Sequence, residues 1–410
     1  MKILLIDKYF FVKGGAERYY FEIKDVLEAN GHTVIPFSMK HPRNFPSDYS
    51  EYFVDEIDFN PKTKWGKAAV GLRSLGRILY SFEAQRKLRA LIEKTQPDVA
   101  HLHMIDHQIS PSILPVLKKA RIPVMQTVHT YKHVCPSYRL YLMDKGRICE
   151  KCVGGNYCRA LFEKCHKESF WATAILVAEM TLHKWLRLWD HVDLFHVPSL
   201  FMGRKLAQGG FDERKIHHLF YTININDYPI HIGGDDYFVY YGRLSEEKGI
   251  MTLLEAMKGV NEIRLKIIGE GPLEKALQTF VQENNLDNIA FAGYLDGDDL
   301  KQAVSRARFV VVPSEWYENS PLVIYESFSM AKPVIGARMG GIPELISHGE
   351  DGYLYDAGDT DSLRHWIVQL AKDQGESEGM GRAARQKAEK LFHPEKHYQK
   401  LMALYQSMMR

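Results

Sequence analysis

The chain has 410 residues, 45% of them hydrophobic and 25% charged, which suits two or three globular domains. A formal net charge of +2 gives no overall field for nucleic acid, and no low-complexity tract marks a disordered chain. The N-terminal apolar run before Asp7 is too short for a signal peptide, and Trp171–Ala178 is too short to span a bilayer. A cytoplasmic protein is therefore expected, with contact at the inner face of the membrane left open.

In chain order, KILLID, TVIPFS, DVAHLH and PVMQTVH are short apolar runs followed by amphipathic segments. The rhythm recurs in YFVYYG, LKIIGEG, IAFAGY, ARFVVVP and KPVIGA. Strand–helix alternation implies parallel sheets with helices on both faces, and two such series imply two doubly wound, Rossmann-like α/β domains. The break falls in the Asn-, Asp- and Gly-rich stretch Thr222–Asp235. The expected domains are 1–221 and 222–392, with a terminal helix 393–410. Ligands of such sheets bind beyond the carboxyl ends of the strands, so two facing domains would form a central cleft.

Residues that follow strands are then the informative ones. Gly14 and Gly15 precede a helix after the first strand and would let backbone approach an anion at its start. His129 ends the strand PVMQTVH. His101 and His103 alternate along another strand, where structural roles are expected, one toward the core and one toward the cleft edge. In YYGRLSEEKGI, Gly242 opens a turn in which Arg243 and Lys248 suit a diphosphate: a planar fork and a point charge. Gly269 lies in a second such turn, IIGEGPL.

The stretch SEWYENSPLVIYE brackets a helix start with two glutamates. Pro321 suits a first helical turn and Ser320 its cap, which leaves Glu318 in a loop and Glu326 inside the helix. At ~1.5 Å per residue, Pro321 and Glu326 alone are ~7.5 Å apart along the axis. That spacing disfavours a close carboxylate dyad and favours two grips on an elongated ligand with an anion between them.

All five cysteines fall between Cys135 and Cys165. A structural zinc held by Cys149, Cys152, Cys158 and Cys165, with Cys135 or His166 as substitutes, is weighed against plain reduced thiols. A basic patch comprises Lys62, Lys64, Lys67, Arg73, Arg77, Arg86, Lys87, Arg89 and Lys94. The aromatic-rich, helix-like stretch from Glu168 to Phe195 has two readings. It is a core helix, or with the patch it forms a surface that meets a membrane.

Taken together, KGGAERY, PDVAHLHM, PVMQTVHT, GRLSEEKG, IIGEGP, FAGYL and the run from Arg308 to Tyr355 resemble retaining glycosyltransferases of family 4, also called group 1. The resemblance implies a GT-B fold and a metal-independent hexosyltransferase of polysaccharide biosynthesis. It would use a UDP- or GDP-sugar donor and a glycan or lipid-linked acceptor, with no cofactor in catalysis and no nucleic-acid partner. By this resemblance Arg243 and Lys248 hold the diphosphate, Glu326 the ribose and Glu318 the transferred sugar. Gly14, Gly15 and Asn319, Ser320, Pro321 and Leu322 approach the donor, and His129 lines the catalytic face. CPSYRLYLMDKGRICEKC resembles a cysteine-rich insertion found in a subset of the family. Many members carry glycine where Ser320 stands, which leaves the sugar open. A nucleotide-sugar epimerase on the same fold and a non-catalytic nucleotide- or glycan-binding protein are the competing readings.

Overall fold

The computed structural model describes residues 1–57 and 76–409. Lys62, Lys64, Lys67 and Arg73 of the basic patch therefore lie outside the described residues.

Two six-stranded, wholly parallel sheets form the frame. The first is built from β1 (Lys2–Ile6), β2 (Thr33–Phe37), β3 (Val99–Leu102), β4 (Val124–Thr127), β7 (Leu194–Val197) and β8 (Ile216–His218), in the order β2-β1-β3-β4-β7-β8. The second uses β9 (Tyr237–Tyr241), β10 (Arg264–Ile268), β11 (Ile289–Phe291), β12 (Val310–Val312), β13 (Val334–Ala337) and β14 (Gly352–Tyr355), ordered β11-β10-β9-β12-β13-β14. A small hairpin, β5 (Tyr141–Leu142) with β6 (Arg147–Ile148), carries the cysteine segment. The strands are near-continuous apolar runs because helices cover both faces of each sheet.

The order reverses between β1 and β3 in the first sheet and between β9 and β12 in the second. The turn after β9 and the loop after β12 therefore open side by side at a topological switch point, where a crevice forms. The first carries Arg243 and Lys248, and the second carries Glu318.

The C-terminal helix Pro394–Met408 lies against the first domain. Its Tyr405 hydroxyl meets His101 Nδ1 at 2.7 Å, and His397 Nε2 meets the Tyr19 hydroxyl at 3.0 Å. The chain thus crosses between domains twice. The crossings touch: the Thr222 hydroxyl donates to the Phe392 carbonyl at 2.8 Å.

The segment from Glu168 to Phe195 is not one helix. The helix Phe170–Trp185 stops there, a short 3-10 turn follows at Leu188–His191, and β7 begins at Leu194. The break has a local cause: Arg187 adopts a left-handed conformation (φ 52°) that no helix continues. No helix among the described residues is long and apolar enough to cross a membrane.

Candidate active site

A cleft of about 730 Å³ lies between the two domains. Its lining joins Gly14, Gly15 and His129 from the first domain to Gly242, Arg243, Lys248, the run Glu318–Leu322 and Glu326 from the second. Gly269 is the exception among the expected residues. Gly242 N donates to the Ile268 carbonyl at 3.0 Å, so Gly269 sits behind Gly242 and shapes the turn from the rear.

Lys248 closes a 3-10 turn, Glu246–Lys248, just before the helix Ile250–Met257. Gly249 between them has φ 66°, and a Cβ there would stand 1.9 Å from the Pro313 carbonyl oxygen. Only glycine lets this turn pack on the exit of β12. The Lys248 ammonium then reaches Glu318 Oε1 at 2.6 Å. The Ser314 hydroxyl and the Trp316 indole donate to the same oxygen at 2.9 and 2.8 Å. Burial by itself would raise the Glu318 pKa. The ammonium and the two hydrogen bonds outweigh it and hold this carboxyl below its ordinary value.

Glu326 lies in the helix Leu322–Ser329 and is equally buried, but its environment differs. It pairs across the cleft with Arg18, from the helix Gly15–Ala29 of the first domain. Burial raises its pKa against the opposing Arg18 guanidinium and the Tyr241 and Tyr228 hydroxyls. The helix opens one residue later than Ser320 and Pro321 suggest. Pro321 itself takes the cap position in extended geometry (φ −72°, ψ 117°), and the Ser320 hydroxyl meets the Tyr325 hydroxyl at 2.6 Å. The two carboxylates thus have separate partners on separate elements.

Asn319 joins the domains. Its amide donates to the Val128 and His129 carbonyls at 2.9 and 3.1 Å, and its Oδ1 accepts from Ser199 at 2.9 Å. Gly340 and Gly341 support this loop from below: Gly341 N donates to the Glu318 carbonyl at 2.7 Å.

His129 is held on both sides. Its Nε2 lies 3.0 Å from His103 Nδ1 and its Nδ1 2.6 Å from the Tyr221 hydroxyl. Burial lowers its pKa to about 3, so the ring is neutral and presents an oriented edge to the cleft. His101 and His103 are both buried, so neither marks the cleft edge.

The expected zinc quartet is not the group that the fold assembles. Cys135, Cys149, Cys152 and Cys165 border one small cavity, whereas Cys158 is exposed at the start of the short helix Arg159–Glu163. Among the described residues, no three His, Cys, Asp or Glu side chains are placed to hold one metal ion.

Several residues of this site are not singled out by the sequence reading: Arg18, Ser314, Trp316, Tyr221 and Tyr241. Trp316 and Ser314 stand two and four residues before Glu318 in the same stretch, and Arg18 lies one helical turn beyond Gly15. Proximity to the motifs was their only signal.

Sequence comparison agrees with this geometry. The profile of Glycosyltransferase Family 4 matches residues 13–225, and that of Glycosyl transferases group 1 matches residues 227–387. The chain belongs to glycosyltransferase family 4, and its fold is GT-B. It is 34% identical over 155 residues to sulfoquinovosyl transferase SQD2 of Arabidopsis thaliana, covering 37% of this chain and 30% of that protein. It is 27% identical over 176 residues to the amylovoran biosynthesis glycosyltransferase AmsK of Erwinia amylovora, covering 40% and 43%. The chain thus spans less than half the length of either curated relative. Among solved structures, Anabaena HepE in complex with UDP superposes with a TM-score of 0.66 at 16% identity, over 99% of this chain and 100% of that one.

Proposed function

We propose that this chain transfers a hexose from a nucleoside-diphosphate sugar to a glycan or lipid-linked glycan in polysaccharide synthesis. The observation that carries the reading is the pair Glu318 and Glu326. They are two buried carboxylates in one cleft, each with its own cation, on either side of a helix start.

In this reading the diphosphate sits at the N-terminus of the helix Leu322–Ser329, against Arg243 and Lys248. An ammonium carries three donors, so Lys248 can keep Glu318 and still reach a phosphate oxygen. Glu326 accepts from the ribose hydroxyls. Glu318 accepts from the hexose hydroxyls through Oε2, since the three contacts above all fall on Oε1. The bond from the anomeric carbon to the leaving phosphate oxygen breaks as the acceptor oxygen bonds to the same face. The acceptor proton passes to the departing phosphate, and bonding on the face the phosphate leaves gives retention. Tethering of Glu318 by three donors supports this over attack by an enzyme carboxylate. Arg243, Lys248 and the helix dipole supply the positive charge for the leaving group, with no metal.

The test is a thermal-shift screen of the purified chain against UDP- and GDP-sugars. The correct donor should raise the melting temperature by linkage and the wrong base should not. No shift with any nucleotide sugar at concentrations far above ordinary donor affinities would sink the reading. Product analysis with the hit separates transfer from epimerisation, because only transfer creates a new glycosidic linkage.

A further inference from the structure

The helix Phe170–Trp185 carries large apolar residues on both its buried and its exposed side. Its inner side is buried through Thr173, Leu176, Val177, Glu179, Met180 and His183. Its outer stripe runs Trp171, Ala174, Ile175, Ala178, Leu182 and Trp185, at helical spacing and without a charged residue. Trp171 and Trp185, at the two ends, are 77% and 78% exposed, and Phe170 is 45% exposed. A surface helix of a globular domain ordinarily puts charged and polar groups on that side. Trp171, Ala178 and Trp185 are exposed and Ala174, Ile175 and Leu182 half-buried, so the outer side is an apolar patch that something covers.

We propose that this face docks on an anionic lipid bilayer, with the helix lying flat in the interface. The tryptophans sit ~21 Å apart along the axis, both near the centre of the stripe, as aromatic rings at headgroup level require. Sixteen residues make a helix of ~24 Å, too short for a ~30 Å hydrocarbon core, so it lies in the plane. The rim is basic. Lys164 and Lys167 precede the helix and Lys184 and Arg187 lie at its end, all exposed, against Glu168 and Asp190; Asp190 is bound to Arg187 at 2.6 Å and Lys184 to the Gly155 carbonyl at 3.4 Å. Lysine is depleted from protein–protein interfaces, whereas each cation near an anionic leaflet strengthens attachment roughly fivefold. Phe162 and Phe82 are also exposed, 87% and 75%. His183 Nε2 bonds the Leu79 carbonyl at 2.9 Å on the buried side of the helix.

The opposite side of the same helix is tied to the cleft. Glu179 Oε2 accepts from Lys132 at 2.7 Å, both side chains buried, and Lys132 stands three residues after His129 in the loop that follows β4. Docking through the outer stripe would fix the height of the first domain's half of the cleft above the bilayer. A lipid-linked acceptor, if the transfer reading holds, would enter there. The docking itself rests on the helix face and does not need that reading.

The experiment uses the full chain and vesicles of phosphatidylcholine, with and without about one-third phosphatidylglycerol, at low salt. We expect co-sedimentation with the anionic vesicles and a blue-shifted tryptophan emission quenched by brominated acyl chains. Trp171→Ser with Trp185→Ser should weaken binding roughly tenfold or more, and Lys164→Glu with Lys167→Glu by a similar factor. Unchanged melting curves show that both variants fold. The proposal is overturned by absence of wild-type binding at low salt, or by tryptophan variants that bind as tightly as wild type. It is also overturned if the wild type is a dimer without lipid and the tryptophan variant a monomer, since a second copy then covers the stripe. Vesicle binding without any transfer would leave the docking intact and count only against the proposed function.

Discussion

Lys248 is the residue on which the proposed chemistry turns. It touches Glu318 in the structure and lines the same cleft as Arg243. Lys248→Ala removes a cation from the developing diphosphate and also takes the largest opposing charge from a buried carboxylate. The Glu318 pKa should then rise, because burial is no longer outweighed. We expect turnover to fall by roughly 10²- to 10³-fold while the circular dichroism spectrum is retained. A variant that transfers at the wild-type rate would remove Lys248 from the mechanism. Glu318 and Glu326 are carboxylates of one short stretch, yet one is held below its ordinary pKa and the other above it. The difference lies in their partners, a local lysine turn for the first and an arginine of the other domain for the second.

At the level of elements, the site is a stack of turns at strand ends. The loop after β12 rests on the turn after β13. Gly340 has φ 62°, and a Cβ there would lie 2.0 Å from the Glu318 carbonyl oxygen. Gly340→Ala must therefore strain the turn or push the loop that carries Glu318 and Asn319. We expect a loss of about 1–3 kcal/mol in denaturant unfolding, together with loss of the donor-induced thermal shift. Wild-type stability in this variant would show that the loop yields freely. The strands were legible from sequence as apolar runs bounded by turn residues, because burial on both faces leaves that mark. β7 was not, since LFHV is continuous with an aromatic stretch of helical character. β8 and β14 were missed as well. IHH is only half-buried, and GYLY is a four-residue run that opens on glycine.

Across the whole molecule, the two crossings of the chain and the histidines of the first domain form one buried assembly. His103 meets His129, His101 meets Thr127 and Tyr405, and Thr127 meets His196. His397 reaches Tyr19 from the terminal helix. Burial lowers the pKa of His129 and His397 to about 3 and that of His196 to about 4, from 6.5. The unfolded chain then binds more protons than the native one below about pH 6.5. The sign follows: the stability these rings contribute is complete above pH 6.5 and is lost as pH falls toward 3 to 4. Melting temperatures across pH 7 to 4 should decline with net proton uptake on unfolding. A flat profile without uptake would contradict the buried neutral network.

By itself the sequence determined the two parallel-sheet domains and named most of the residues that line the cleft. Strand periodicity, turn chemistry and the spacing of Glu318 and Glu326 about Pro321 are local properties that neighbouring residues express. Only the tertiary structure decided which groups meet from afar. Arg18 reaches Glu326 across 308 residues, Asn319 bonds the backbone at His129, and Cys135 replaces Cys158 beside the other thiols. It also decided which side of Phe170–Trp185 faces solvent. Apolar residues occupy both the buried and the exposed side of this helix, so its exposed stripe emerges only when the core has claimed the other side.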